Sequence, residues 1–100
     1  MAVKLLMSWN ILTGREQEYF EFVVREFIPE MQQIGLKATD AWVTVFGDQP
    51  QILVTMKTDT LEAMRQAMHS QEWDQLTLRL LDYVEDFEVK TVAARPGFQM

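Results

Sequence analysis

Cysteine is absent from the 100-residue chain, and histidine occurs once, as His69. Without thiols there is no disulfide, thiolate nucleophile, iron–sulfur cluster or cysteine-based zinc site. A single imidazole also rules out a multi-histidine metal centre within one chain, so neither a metal nor a cofactor is expected. Basic side chains are scarce: 9 lysines and arginines face 15 acidic residues, giving a net charge of −6 and a pI near 4.6. A nucleic-acid binder needs the opposite surplus to neutralise phosphates, so nucleic acid is not an expected partner. Long apolar runs are missing as well. Met1 to Asn10 already contains Lys4, and nothing approaches the ~18 continuous apolar positions of a membrane span. A soluble, cytoplasmic protein with no membrane contact is the expectation. The 3 prolines are scattered at 29, 50 and 96, with no linker, repeat or low-complexity stretch between them. Residues 1–100 therefore read as one domain, close to the roughly 100–150 residues common for a single core. What is abundant is apolar bulk, at 48% of residues including 3 Trp, 2 Tyr and 6 Phe.

The order of that bulk predicts the elements. Val3, Leu5, Met7, Trp9 and Ile11 share one parity, and Lys4, Leu6, Ser8, Asn10 and Leu12 the other, which is a strand with one apolar and one mixed face. Thr13-Gly-Arg-Glu16 has capping-box spacing. After it Phe20, Val23, Val24, Phe27, Ile28, Met31 and Ile34 recur at helical intervals up to Gly35. Pro29 lies inside this helix, where it deletes the bond to the Arg25 carbonyl and predicts a kink or a tightened last turn. Leu36 to Phe46 and Gln51 to Lys57 alternate as two strands joined by Gly47-Asp-Gln-Pro50, a four-residue hairpin loop. Asp59-Thr-Leu-Glu62 repeats the capping-box pattern and opens a second helix carrying Leu61, Met64, Ala67 and Met68. Ser70 is a fresh N-cap signal, so a break is expected near His69 to Gln71 before the stripe resumes through Trp73, Leu76, Leu80, Leu81, Val84 and Phe87. Val89 to Ala94 completes the series as a short strand, followed by Arg95-Pro-Gly and a tail with Phe98.

The expected fold class is therefore α+β, a ferredoxin-like βαββαβ arrangement in which a four-stranded antiparallel sheet carries two helices on one face. Helices on one face leave the other to solvent or to a partner. That second face keeps Leu6, Leu12, Trp42, Phe46, Leu53 and Val92 among Ser8, Asn10, Asp40 and Thr55. At ~25 cal/mol per Å², leaving these wet forfeits several kcal/mol. A second copy is the simplest cover, because a two-fold interface needs only one self-complementary surface. A homodimer is expected, against the alternative of a monomer with a partly apolar open sheet.

The element order, together with Arg25-Glu-Phe-Ile-Pro-Glu-Met-Gln-Gln-Ile-Gly35 and Met68-His-Ser-Gln-Glu-Trp73, resembles the dimeric α/β-barrel superfamily. Within it the chain is similar to the NIPSNAP-type and antibiotic-biosynthesis-monooxygenase-type domains. These share a proline late in the first helix, a glycine before the second strand and a Ser-x-Glu-Trp-like break in the second helix. The resemblance spans nearly the whole chain, on motifs that mark turns and packing. It implies two sheets packed face to face as a dimeric α/β barrel, with a pocket between sheet and helices in each subunit. Members of the superfamily include cofactor-independent monooxygenases, muconolactone isomerases, haem-degrading enzymes and stress-responsive proteins, so the fold alone does not choose a function.

Three residues could carry chemistry. Asn10 resembles the strand-one asparagine of the haem-degrading and some monooxygenase members, and its amide could orient a substrate oxygen; a polar strand end or a dimer contact is the alternative, and the one favoured. The haem reading goes no further, because gap-free matching puts Ala67 and Thr77 where those enzymes carry a tryptophan and an axial histidine. His69 is the only side chain of a type that titrates near neutrality, and so the candidate general acid–base; its place at a helix end offers a capping role instead. Asp40 lies in an otherwise apolar strand with Trp42, surroundings that favour a protonated carboxyl. Pairing with Lys37, Lys57 or Arg95 is the alternative. No serine or threonine is spaced to complete a triad with His69. Trp9, Phe27, Met56, Met64 and Trp73 could line an adaptable apolar ligand pocket, or simply fill the core. The function expected is binding of a small apolar or aromatic molecule, whose enzymatic form would be cofactor-independent oxygenation or isomerisation. The rival is a non-catalytic homodimeric interaction module.

Overall fold

The computed structural model describes residues 2–46 and 49–93, and of residues 45, 46, 49 and 50 the backbone alone. Strand β1 (Val3–Ile11) leads into a first helix made of three consecutive pieces, α1 (Glu16–Phe22), a π-helical segment (Val23–Phe27) and α2 (Ile28–Gln33). Then come β2 (Lys37–Phe46), β3 (Gln49–Thr58), α3 (Leu61–Met68), α4 (Gln71–Leu80) and β4 (Val84–Ala93). The strands form one antiparallel sheet in the order β2-β3-β1-β4, with β1 paired to both β3 and β4. This is the ferredoxin-like layout predicted from the alternation of patterns.

The inner parity of β1 is buried at every position from Val3 to Ile11. Ile52, Val54 and Met56 of β3 extend the same face, and Phe22, Phe27 and Met31 of the first helix close over it with Met64, Trp73, Leu76 and Leu80 of α3 and α4. Arg79 ties the two helical units together from outside. Its guanidinium donates to Glu26 Oε1 at 2.6 Å and lies 5.0 Å from the Phe22 ring centre.

Several local expectations need correction. Thr13 does not cap the first helix: Gly14 takes φ +89°, Arg15 is the N-cap without a side-chain bond, and Glu16 Oε1 accepts from Gly14 N–H at 2.9 Å. The second helix begins at Thr60 rather than Asp59, the Thr60 hydroxyl accepting from Ala63 N–H at 3.0 Å. Ser70 does cap α4, accepting from Trp73 N–H at 3.1 Å. The last turn after Pro29 tightens as expected, Ile34 N–H donating to the Met31 carbonyl at 3.2 Å and Gly35 N–H to the Gln32 carbonyl at 3.0 Å. The turn before Pro29 widens, with Ile28 N–H donating to the Val23 carbonyl five residues back. A missing proline N–H leaves an upstream carbonyl without its usual donor, and a wider turn re-indexes the ladder around it. The pairing Phe46↔Gln49 shortens the expected hairpin loop to Gly47 and Asp48, which lie outside the described residues, as do Arg95 and Phe98.

The largest departure concerns β4, which starts at Val84, where a helix was expected to continue to Phe87. Between the pairs Ser8↔Glu88 and Asn10↔Glu85 the strand carries one extra residue, and Asp86 there adopts φ +56°. Such a bulge puts Val84 and Phe87, three apart, on one face against the core. A strand with period 2 thereby imitates helical spacing. A second bulge at Thr39 of β2, between Ala38↔Met56 and Asp40↔Thr55, moves Ala38 from the open face to the helix side.

Candidate functional site

The sheet register settles where the three chemistry candidates stand. Asn10 is level with Gln51 and Asp40 with Thr55 on the open face, four residues apart along β3 or about 13 Å at ~3.3 Å per residue. His69 lies in the helical layer on the other side of the sheet, as C-cap of α3, its backbone N–H donating to the Arg65 carbonyl at 3.0 Å and its side chain exposed. The fold does not bring the three together. Asn10 spends its amide on the β4 bulge, Nδ2 donating to Asp86 Oδ2 at 2.9 Å. Asp40 is exposed and makes no ion pair with Lys37 or Lys57. Among the described residues, no three His, Asp or Glu side chains are grouped to hold a metal ion.

The five expected pocket residues are corrected in the same way. Trp9, Phe27, Met56, Met64 and Trp73 are all buried and belong to the core, and none is among the residues that line the two cavities described below. Their parities place them on inward faces that meet at close packing.

A cavity does exist beside them. On the helix side, a groove of about 430 Å³ runs between the first helix and the outer part of the sheet. Its wall is Phe20 of α1, Val23 and Val24 of the π segment and Ile28 of α2; its floor is Ile52 and Val54 of β3 with Ala41 and Val43 of β2. The groove forms because β2 is an edge strand that the helix layer leaves uncovered: Phe20, Val24 and Val43 keep 51%, 68% and 58% of their surface exposed. The sequence did carry a trace of it. Val23 with Val24 and Phe27 with Ile28 make an apolar stripe wider than one core contact requires, and its surplus edge is the groove wall. The widened π turn supplies two wall residues, a location frequent for such turns at functional sites.

Polar groups are few. Tyr19, Ala38, Thr39 and Asp40 complete the lining, Asp40 belonging by register to the open face. The Thr39 and Thr55 hydroxyls meet at 2.6 Å across the β2 bulge, and the Thr39 hydroxyl is also 3.2 Å from the Thr55 carbonyl, so these groups satisfy one another. Tyr19 is buried and accepts from Trp9 Nε1 at 2.9 Å, within an aromatic cluster in which Trp9 meets Tyr19 and Phe27 edge-on. Burial pushes the Tyr19 phenol up to about 12, outweighing the opposite pull of the Trp9 bond. It is a proton-bearing group throughout the ordinary pH range.

On the open face, a second concavity of about 520 Å³ is lined by Leu6, Ser8, Leu53, Glu88 and Lys90, with backbone from β1 and β4. Around it Trp42, Leu53 and Val92 are exposed. Among the described residues no helix is long and apolar enough to cross a membrane.

No family model matches this sequence, and no curated protein does. Solved structures do match in fold. A NIPSNAP family protein from Agrobacterium tumefaciens superposes with a TM-score of 0.73 at 20% identity, covering 96% of this chain and 95% of that one. A candidate antibiotic biosynthesis monooxygenase from Deinococcus radiodurans gives 0.72 at 15% identity over 100% and 98% of the two chains. An uncharacterized NIPSNAP domain protein from Burkholderia xenovorans gives 0.69 at 15% identity over 100% of both. The fold is thus of the NIPSNAP and antibiotic-biosynthesis-monooxygenase type, as the two sequence segments led us to expect.

Proposed function

We propose that this protein is a homodimer of the α/β-barrel form whose subunits each bind a small apolar or aromatic molecule in the groove beside the first helix. The observation that carries the reading is the groove itself, about 430 Å³ with almost wholly apolar walls. Ligand sites commonly measure roughly 300–1,000 Å³ and combine apolar lining with a few polar groups, a description that this groove fits with Tyr19 in its lining. Binding is favoured over catalysis because Asn10, Asp40 and His69 stand apart, Asp40 and His69 exposed and Asn10 half-buried, without the mutual contacts that acid–base chemistry needs. The second copy is supported by Trp42, Leu53 and Val92 on the sheet face that no helix covers.

Binding is tested by titrating the labelled protein with a naphthalene-type hydrocarbon and following the methyl resonances of Val24, Ile28, Val43, Ile52 and Val54. Saturable shifts at these methyls, lost in Val24→Glu, are the expected result. Val24 is largely exposed, so the substitution leaves the core intact. Absence of saturable shifts, or shifts confined to the open sheet face, would overturn the assignment.

A further inference from the structure

The groove has one feature that shape alone does not explain. An indole N–H can only donate, so in the 2.9 Å contact between Trp9 Nε1 and the Tyr19 hydroxyl the oxygen must be the acceptor. The hydroxyl's own proton therefore points elsewhere. Among the described residues no group accepts it, although Tyr19 is buried, and buried donors are normally paired. Trp9 faces Ile52 across β1 and β3, and Ile52 and Tyr19 both line the groove, so Tyr19 stands at the end of the groove nearest β1. The Thr39 hydroxyl is occupied by Thr55.

Resting on the groove being the binding site, we propose that it selects an apolar or aromatic molecule bearing a hydrogen-bond acceptor, a carbonyl or ether oxygen, which takes the proton of Tyr19. The apolar body lies over Ile52 and Val54 against Val24 and Ile28, and the acceptor oxygen faces inward. Tyr19 is the specificity-determining residue and Trp9 its positioning residue, because the Trp9 bond fixes which way the hydroxyl proton turns. The phenol's upward shift to about 12 agrees with a donor that stays protonated. Selection of this kind works because a site with an unspent polar group rejects a ligand that cannot pair with it.

The test compares 2-acetylnaphthalene with 2-isopropenylnaphthalene, the hydrocarbon of nearly the same size and shape in which a methylene replaces the carbonyl oxygen. Wild-type protein should bind the ketone about five- to tenfold more tightly, the range of one net neutral hydrogen bond. Tyr19→Phe should abolish the preference while leaving hydrocarbon affinity within about twofold. Because Tyr19→Phe also strands the Trp9 N–H, a second measurement uses the unmodified protein. Donation by the Tyr19 hydroxyl makes its oxygen a stronger acceptor, so the Trp9 indole proton should move downfield with the ketone and not with the hydrocarbon. Equal affinities in wild type, a preference that survives Tyr19→Phe, or an indole resonance indifferent to the ketone each refutes selection by Tyr19 while leaving the groove as the site. Failure of both compounds to bind refutes the groove assignment and this proposal with it.

Discussion

Replacing Trp42 by alanine tests whether the uncovered sheet face is an interface. Trp42 lies on the open face opposite Leu53 and retains 50% of its surface in the single chain. A tryptophan side chain buries roughly 150–250 Å² when enclosed, so covering the remaining half removes about 75–125 Å² from water, or ~2–3 kcal/mol at ~25 cal/mol per Å². Two-fold symmetry counts the residue twice, which makes the expected loss about 4–6 kcal/mol, three to four decades in the dimer dissociation constant. Light scattering across a nanomolar-to-millimolar dilution series reads this directly. Leu78→Ala is the control, since Leu78 is still more exposed but sits on α4, on the far side of the sheet. The expected result is a wild-type dimer at micromolar concentration, a monomeric Trp42→Ala and an unchanged Leu78→Ala. A monomeric wild type, or a Trp42→Ala dissociation constant within tenfold of wild type, would show that the reasoning from exposed area is wrong.

Further predictions concern parts whose contacts are defined. Ser70→Ala removes the α4 cap and should cost about 1 kcal/mol, lowering Tm by roughly 4–8 °C in a calorimetric scan; no change would mean that another group satisfies the helix end. At the β4 bulge, Asp86→Gly and Asp86→Val both lose the Asn10 bond, and Asp86→Val should be the less stable of the two by about 1–2 kcal/mol in urea, because φ +56° is open to glycine and closed to a β-branched side chain. Tyr19 titrates near 12 when folded and near the ordinary 10 when unfolded, so the folded state holds the proton more tightly. Its stabilising effect is complete below pH 10 and is lost as pH rises through 12, by on the order of 2 kcal/mol. Tyrosinate absorbance and denaturation at graded alkaline pH should both show this, and Tyr19→Phe should flatten the decline. His69→Asn should change ligand affinity by less than twofold, because the His69 side chain lies outside the groove lining.

Much of the fold was legible because it rests on periodicity that burial enforces. The alternation from Val3 to Ile11 is legible for that reason: each inner side chain is enclosed, and a one-residue slip would expose the set. Ser70 was legible because capping depends on one side chain and its own backbone neighbours. The start of β4 was not, since a bulged strand places Val84 and Phe87 on one face at an interval that a helix also uses. Only the pairing partner, β1, distinguishes the two, and pairing is a long-range property. Pro29 is a similar case. The local rule correctly identified a missing donor and allowed for the tightened last turn, but whether the turn before it widens depends on what packs beside Phe27 and Met31.

The site was harder to read for a different reason. Sequence reasoning looks for chemistry in residue types, and so it turned to Asn10, Asp40 and His69, which the register then scattered over two faces of the sheet. The large apolar residues it assigned to a pocket, Trp9 and Phe27 among them, are the ones that pack most completely, because bulk at the centre of a pattern is drawn into the core. A pocket forms where the pattern has more apolar surface than the core can enclose. Here that surplus lies at the edge of the first helix stripe and along an edge strand no helix covers, and its mark is a half-exposed Phe20 and Val43 rather than a buried Met56. Trp9 still bears on the site from within the core: its N–H fixes the acceptor role of the Tyr19 oxygen and frees that residue's proton for whatever enters the groove.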